Sequence, residues 1–207
     1  MRKEKLKELK QYIEEFQTIK TTKLEKMPSF LSIECYQYQL ANQAIIKREK
    51  LLKNQKEGSA VIVLPMLKNN EILVAIEPRV FTEKTVDVGF PAGYIEDREE
   101  PTQAAQRELL EETGYQTNTL ILLGAFYQDQ GCSQAYNHYY IAMDCQKVKA
   151  QNLDQDEFIK YMSLTLEEIE ELMKQGYMTG LNSAYTLEKA KQYIKEGKPW
   201  KNMDISK

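Results

Sequence analysis

GYIEDREEPTQAAQRELLEETGY, residues 93–115, spells out both ends of a helix. Pro101 follows Glu100 at the first helical position, where its missing N–H costs nothing, and Gly114 stands where a left-handed C-terminal cap belongs. The spacing predicts a helix over residues 101–113. At about 100° per residue, Glu108, Glu111 and Glu112 share an arc of roughly 100°, with Ala104 beneath them. That grouping is locally unfavourable. Like charges at i,i+4 cost a few tenths of a kcal/mol per pair, and carboxylates in a last turn oppose the helix dipole. Arg107 offsets part of the charge, yet three acids face one base. A solvated acidic face would account for such a run on an arbitrary surface helix. A bound divalent cation would reverse the sign of the whole cluster. Hard carboxylate oxygens with no His or Cys beside them suit Mg²⁺ or Mn²⁺ rather than zinc.

The flanking sequence alternates strands with this one internal helix. Upstream, 60–67 and 71–76 are β-branched runs around Lys68-Asn69-Asn70, a hairpin signal, and 86–90 is a short strand ending at Pro91-Ala92-Gly93. Downstream, 120–126 and 139–144 read as strands, with His138 just before the second and assigned no catalytic part. Residues 166–175 and 183–196 read as helices, the first opened by a Thr165-x-x-Glu168 capping box and stopped by Gly176. At the amino end, Leu6, Leu9, Tyr12, Ile13 and Phe16 recur at helical spacing within the Lys- and Glu-rich residues 1–27, and Pro28 closes the segment. Its apolar stripe is expected to cover the domain's own core rather than a partner. Residues 33–40 read as a strand, followed by a turn at Ala41-Asn42-Gln43 and a second strand or short helix through 45–52. With helices at both ends, the fold class is α/β (α+β).

Composition narrows the function classes. The chain has 207 residues, 42% hydrophobic and 29% charged, which predicts one domain with an extension. The longest apolar runs, 59–67 and 120–126, fall short of the ~18 residues a transmembrane helix needs, so no membrane role is expected. A net charge of −3 with interspersed signs argues against a nucleic-acid partner. No apolar stretch follows the basic residues of MRKEKLKELK, as a secretory signal would require. Cys35, Cys132 and Cys145 are odd in number and widely spaced, so neither a disulfide framework nor a zinc knuckle is expected. The expected setting is a reduced cytoplasm.

Gly93, Glu99, Arg107-Glu108-Leu109, Glu111-Glu112 and Gly114 carry the fixed letters of a Nudix box at its full spacing, with Tyr115 at a final position that is normally aliphatic. The sequence thus resembles a Nudix hydrolase. EPR at 77–79, FPAG at 90–93 and Asp156-Glu157-Phe158-Ile159 before the last two helices resemble the ADP-ribose pyrophosphatase branch, over residues 30–196. The resemblance implies a Nudix fold, a mixed β-sheet core sandwiched by helices, over 56–200. A helical and β extension over 1–55 would serve a homodimer.

It also implies a loop–helix–loop whose glutamates hold divalent metal, Mg²⁺ or Mn²⁺, against a pyrophosphate. Carried over, Glu108 and Glu112 are direct ligands one turn apart, and the Ala92 carbonyl completes the protein's share. Glu111 is a ligand or positions the attacking water, Arg107 fixes a neighbouring carboxylate, and Glu99 is a strut of the loop. Water attacks one phosphorus while the metals neutralise the non-bridging oxygens and lower the pKa of bound water. A general base is implied in the loop before the C-terminal helices, with Glu157 first and Asp156 and Asp154 behind it. Arg79 matches the arginine that binds substrate phosphates. Residues 33–53 would clasp the adenosine half across a dimer, with Tyr36, Tyr38 and Arg48 as candidate contacts; Gly131 of the Gln130-Gly131-Cys132 loop is a further substrate-binding candidate and Cys132 is structural.

The chain departs from the branch at three places. A proline downstream of the box is Gln130, an acid after it is Ala135, and an acid two residues before PAG is Gly89. The metal site is intact while the substrate-reading loop is altered. The expectation is Mg²⁺-dependent cleavage of a nucleoside diphosphate linked to another moiety, ADP-ribose or a related nucleotide sugar foremost, to a nucleoside monophosphate plus a phosphorylated product. The alternatives are another NDP-sugar, a dinucleotide or NAD(H) as substrate, or a non-catalytic nucleotide-sugar sensor. A sensor has no need of a destabilising carboxylate cluster.

Overall fold

The computed structural model describes residues 1–24 and 30–196; Pro28 and the last four residues of the expected 56–200 domain lie outside them. Helix α1 (Lys3–Phe16) precedes a hairpin of β1 (Leu31–Gln39) and β2 (Ile45–Lys53). Strands β3 (Ala60–Leu67), β4 (Ile72–Pro78), β5 (Val86–Gly89) and β6 (Ala92–Tyr94) lead into α2 (Pro101–Thr113). After it come β7 (Tyr115–Gln116), β8 (Thr119–Tyr127), β9 (Tyr136–Lys147) and β10 (Lys160–Leu164), then α3 (Leu166–Lys174) and α4 (Leu181–Glu196). The 45–52 segment is therefore a strand, and His138 lies inside β9 rather than before it.

Strand β3 organises the core because both of its faces are buried, which is what its continuous apolar run, Ala60–Leu67, requires. Ile62, Leu64 and Met66 face a large cluster that includes Ile141, Ile169, Leu172 and Leu187. Val61 and Val63 face a smaller one with Ala104, Ala105 and Leu109 of α2. The two layers of helices thus sandwich a mixed sheet. Strand β3 runs parallel to β9, with Val61 opposite His138 and Ile62 opposite Tyr139, and antiparallel to β6, with Ile62 opposite Ala92. Strand β4 is flanked by β10 and β5, and β9 by β8 and β7, all antiparallel. Strands β6, β7 and β10 escape a pattern reading because two to five residues are too few to show a period; their pairing comes from neighbours distant in sequence.

The stripe of α1 packs as expected. Leu9 is 1% exposed within the large cluster, and Tyr12, Ile13 and Phe16 pack against it. Arg2 pins the helix start: its backbone N–H and its Nε and Nη2 donate to Glu168 of α3 at 2.8, 3.0 and 2.8 Å, and Nη1 pairs with Glu71. The β1–β2 ribbon behaves differently. Among the described residues it pairs with no other strand, and Ile33, Tyr36, Tyr38 and Ile45 are exposed along it. Its base is tied to the body by Leu51 N–H donating to Cys132 O at 2.7 Å.

Candidate active site

The box folds as a helix held between two loops. Glu100 N–H donates to the Gln103 side chain at 3.1 Å at its start, and Gly114 closes its end with φ 72°. Arg107 knits the helix to the preceding loop. Its Nε and Nη2 take both oxygens of Glu99 at 2.9 Å, and Nη2 also donates to Tyr94 O at 2.9 Å. Its Nη1 reaches Glu108 Oε1 at 2.7 Å and Glu111 Oε2 at 3.1 Å. This bidentate grip holds the Glu99 carboxyl below its usual range and gives Glu99 the strut position. Gly93 lies so close that a Cβ there would sit 1.9 Å from Glu108 Oε1; the glycine is required by the carboxylate packed on its backbone.

A cleft of about 1290 Å³ opens over this loop–helix. Seven of the residues singled out in the sequence line it: Arg79, Ala92, Arg107, Glu108, Glu111, Glu112 and Glu157. Asp154 and Asp156 line it too. Glu157 is held in a tight turn, its Oε2 accepting from Asp154 N–H at 3.1 Å. Arg48 and Gly131 are elsewhere. Arg48 is on the exposed ribbon, donating to Lys47 O at 2.8 Å, and Gly131 N–H donates to Asp129 Oδ1 at 3.0 Å in an exposed turn. Cys132 Sγ is 3.1 Å from the same aspartate.

Burial raises the proton affinity of the acids at the centre. It pushes Glu108 up to about 7, against the pull of Arg107. Glu112, 4% exposed, goes well above the carboxylate range because burial is joined by repulsion from Glu77 and Glu108. Its Oε1 accepts a long 3.4 Å bond from Ala92 N–H. Such carboxylates, desolvated and mutually repelling, fit a divalent cation, which would supply the charge they lack. Among the described residues no three acids already close on one point, since Arg107 Nη1 stands between Glu108 and Glu111.

Glu77 is the residue the sequence reading passed over. It lines the cleft on β4 and pairs with Arg79 Nη2 at 2.6 Å, and burial raises its carboxyl. The signal was available: residues two apart at a strand end share a face, so an arginine aimed at the cleft brings Glu77 with it. His138, Asn137 and Asn182 form part of the wall, and Phe30, Lys53 and Tyr94 gather where the ribbon joins the body. There the Phe30 and Tyr94 rings are 6.2 Å apart, and Lys53 Nζ is 5.6 Å from the Tyr94 ring.

Two of the three sequence departures have a steric account. A Cβ on Gly89 would meet Ser183 Oγ of α4 at 2.9 Å, and that hydroxyl accepts from Phe90 N–H, so an acid at 89 has no room. Ala135 is fully buried beneath the 128–135 turn, where Gln128 N–H donates to its carbonyl at 2.9 Å.

The NUDIX domain family matches residues 56–180. The ADP-ribose pyrophosphatase of Bacillus subtilis is 33% identical over 172 residues, 82% of this chain and 90% of that protein. The methanol dehydrogenase activator of Bacillus methanolicus is 33% identical over 159 residues, 75% of this chain and 83% of its own length. The mouse ADP-sugar pyrophosphatase is 36% identical over 86 residues, 40% of this chain and 39% of that one. The crystal structure of an ADP compounds hydrolase superposes with a TM-score of 0.70 at 19% identity, over 89% of this chain and 97% of that one, a likeness of fold. With these matches and the box folded around Arg107, the chain belongs to the Nudix family. It is an enzyme, a pyrophosphohydrolase similar to the ADP-ribose pyrophosphatases.

Proposed function

We propose that the protein hydrolyses the pyrophosphate of a nucleoside diphosphate linked to a second moiety, ADP-ribose or a related ADP-sugar first, with Mg²⁺ or Mn²⁺. The observation that carries this reading is the meeting of carboxylates from three separate elements, β4, α2 and the 154–157 turn, with Arg79 in one cleft. The cleft exceeds the ~300–1,000 Å³ common for small-molecule sites, leaving room for a group on either side of a diphosphate. Glu108 and Glu112 would hold the divalent ion, with Glu111 and the Ala92 carbonyl contributing. When bound, the ion supplies charge neutralisation at phosphate oxygens and acidifies water.

The chain's own groups supply the rest. Arg79 reaches into the cleft from the end of β4 and would grip a phosphate, exchanging Glu77 for the substrate's oxygens. Glu157 stands on a turn at the cleft edge and would take the proton of the attacking water. Arg107 keeps Glu108 and Glu111 facing the cleft and so acts on the reaction through them. The exposed ribbon suits pairing with a second copy, which would carry Arg48 and Tyr36 to the neighbour's cleft and make a homodimer.

The test is a panel of ADP-ribose, other NDP-sugars and dinucleotides including NADH, with Mg²⁺ or Mn²⁺, in ¹⁸O-labelled water. Mass analysis of the products gives the preferred compound and the phosphorus attacked. Cleavage of ADP-ribose to AMP is the expected result. Binding without turnover across the panel would instead favour a sensor.

A further inference from the structure

The carboxyl end of α2 is completed by a segment arriving from β9. Lys147 Nζ donates to Thr113 O at 2.6 Å, Val148 and Lys149 N–H donate to Gly114 O at 2.9 and 3.2 Å, and Asn152 N–H donates to Glu111 O at 2.9 Å. Gln151 Nε2 donates to Glu112 O. These are carbonyls that a last helical turn leaves without partners of its own. Two of these groups reach a second acceptor: Lys147 Nζ also donates to Tyr161 Oη on β10 at 2.5 Å, and Gln151 Nε2 also donates to Ile159 O at 3.2 Å, beside the turn that carries Glu157. The two amide hydrogens of Gln151 therefore tie the backbone of Glu112 to a carbonyl two residues beyond Glu157.

We infer that Gln151 is a positioning residue, a two-ended strut that sets the carboxylates of α2 against the loop carrying Glu157. Both acceptors are carbonyls, so the side chain must bring at least two N–H groups on one nitrogen, which the Gln151 amide does without adding a charge. A glutamate there would turn an oxygen toward each of them, and an asparagine would be one methylene too short to reach both. Without the strut, Glu157 keeps its own turn through Asp154 but loses its register with α2. The inference rests on the reading of Glu157 as general base.

The full chain tests it, with Gln151→Met as a near-isostere lacking N–H and Gln151→Asn as a milder change should the first fold poorly. ADP-ribose turnover, Mn²⁺ binding by calorimetry without substrate, and thermal melting are measured on each. Misplacement of a proton acceptor by about an ångström predicts a fall in kcat of about tenfold to a hundredfold, with KM for ADP-ribose held within about twofold. Mn²⁺ affinity should weaken by about two- to fivefold, since Glu112 is held at one end of the strut. In a Glu157→Gln background, Gln151→Met should cost less than about twofold in kcat, because the group it positions is gone. A lowered melting temperature with unchanged kcat in both Gln151 variants would overturn the inference, as would an undiminished cost in the Glu157→Gln background. An unaltered kcat in Glu157→Gln alone overturns the general-base reading itself, and the strut's role with it.

Discussion

Glu112 sits at the centre of an electrostatic conflict. It is buried, faces Glu77 and Glu108, and has a single long bond from Ala92 N–H to offset its charge. Glu112→Gln removes that conflict and, on the proposed reading, a metal ligand with it. Turnover should fall by about a hundredfold or more, while the melting temperature of the metal-free protein rises. Steady-state kinetics and thermal melts check the two halves separately, and undiminished turnover in Mg²⁺ would move the metal to other residues. Gly93→Ala probes the same carboxylates from the other side. The added Cβ would lie 1.9 Å from Glu108 Oε1, so the carboxylate must swing away and loosen its bond to Arg107. Weaker Mn²⁺ binding by calorimetry with far-ultraviolet circular dichroism unchanged is the expected outcome. At this scale Arg107, Glu108 and Glu112 were legible because fixed spacing on a helix sets their common face. Glu77 was legible only through Arg79: a single acid on a strand has no pattern of its own, and its two-residue offset from that arginine is what puts it on the cleft face.

The elements were legible in proportion to their length. Thirteen residues of α2 and fourteen of α1 show their period and stops, whereas the two-residue β7 exists through its pairing with β9. The apolar stripe of α1 leaves open what it covers; the structure seats Leu9 in the large cluster. Leu9→Ala should therefore cost about 2–5 kcal/mol in urea unfolding while leaving kcat unchanged. A smaller loss would mean that α1 peels away without disturbing the core. Arg2 anchors the same helix and pulls Glu168 down to about 2. A depressed carboxyl stabilises fully above its ordinary pKa, so this contribution is lost as pH falls from the usual carboxylate range toward 2. The end of α2 shows what local reasoning overlooks. Its last turn contains no base, yet Lys147 and the N–H groups of 148, 149 and 152 reach it from another element, so the dipole the acids oppose is partly neutralised.

For the whole molecule, pH and metal pull in opposite directions. Burial raises Glu108 and Glu112, so the folded chain binds more protons than the unfolded one, and metal-free stability falls as pH rises from the ordinary carboxylate value through about 7. Cation binding requires those protons to leave. The melting temperature without metal should thus drop between pH 5 and about 8, and the increment from millimolar Mg²⁺ should grow over the same interval. An increment that shrinks with rising pH would contradict this assignment of ligands. The ribbon gives a second expectation. Two strands without a covered face are marginal in water, so sedimentation should show a dimer, and Ile33→Asp paired with Ile45→Asp should yield monomers with an intact Nudix body.

Spacing within a few turns of chain is enough to specify the Glu-rich helix of the Nudix box, its caps, the strand–helix alternation and the family. The tertiary structure alone decided which acids share the cleft with Arg79, that Arg48 and Gly131 stand outside it, and what finishes the end of α2. Those outcomes depend on contacts between residues tens of positions apart, and no local period records which strand edge or loop will come to rest beside another.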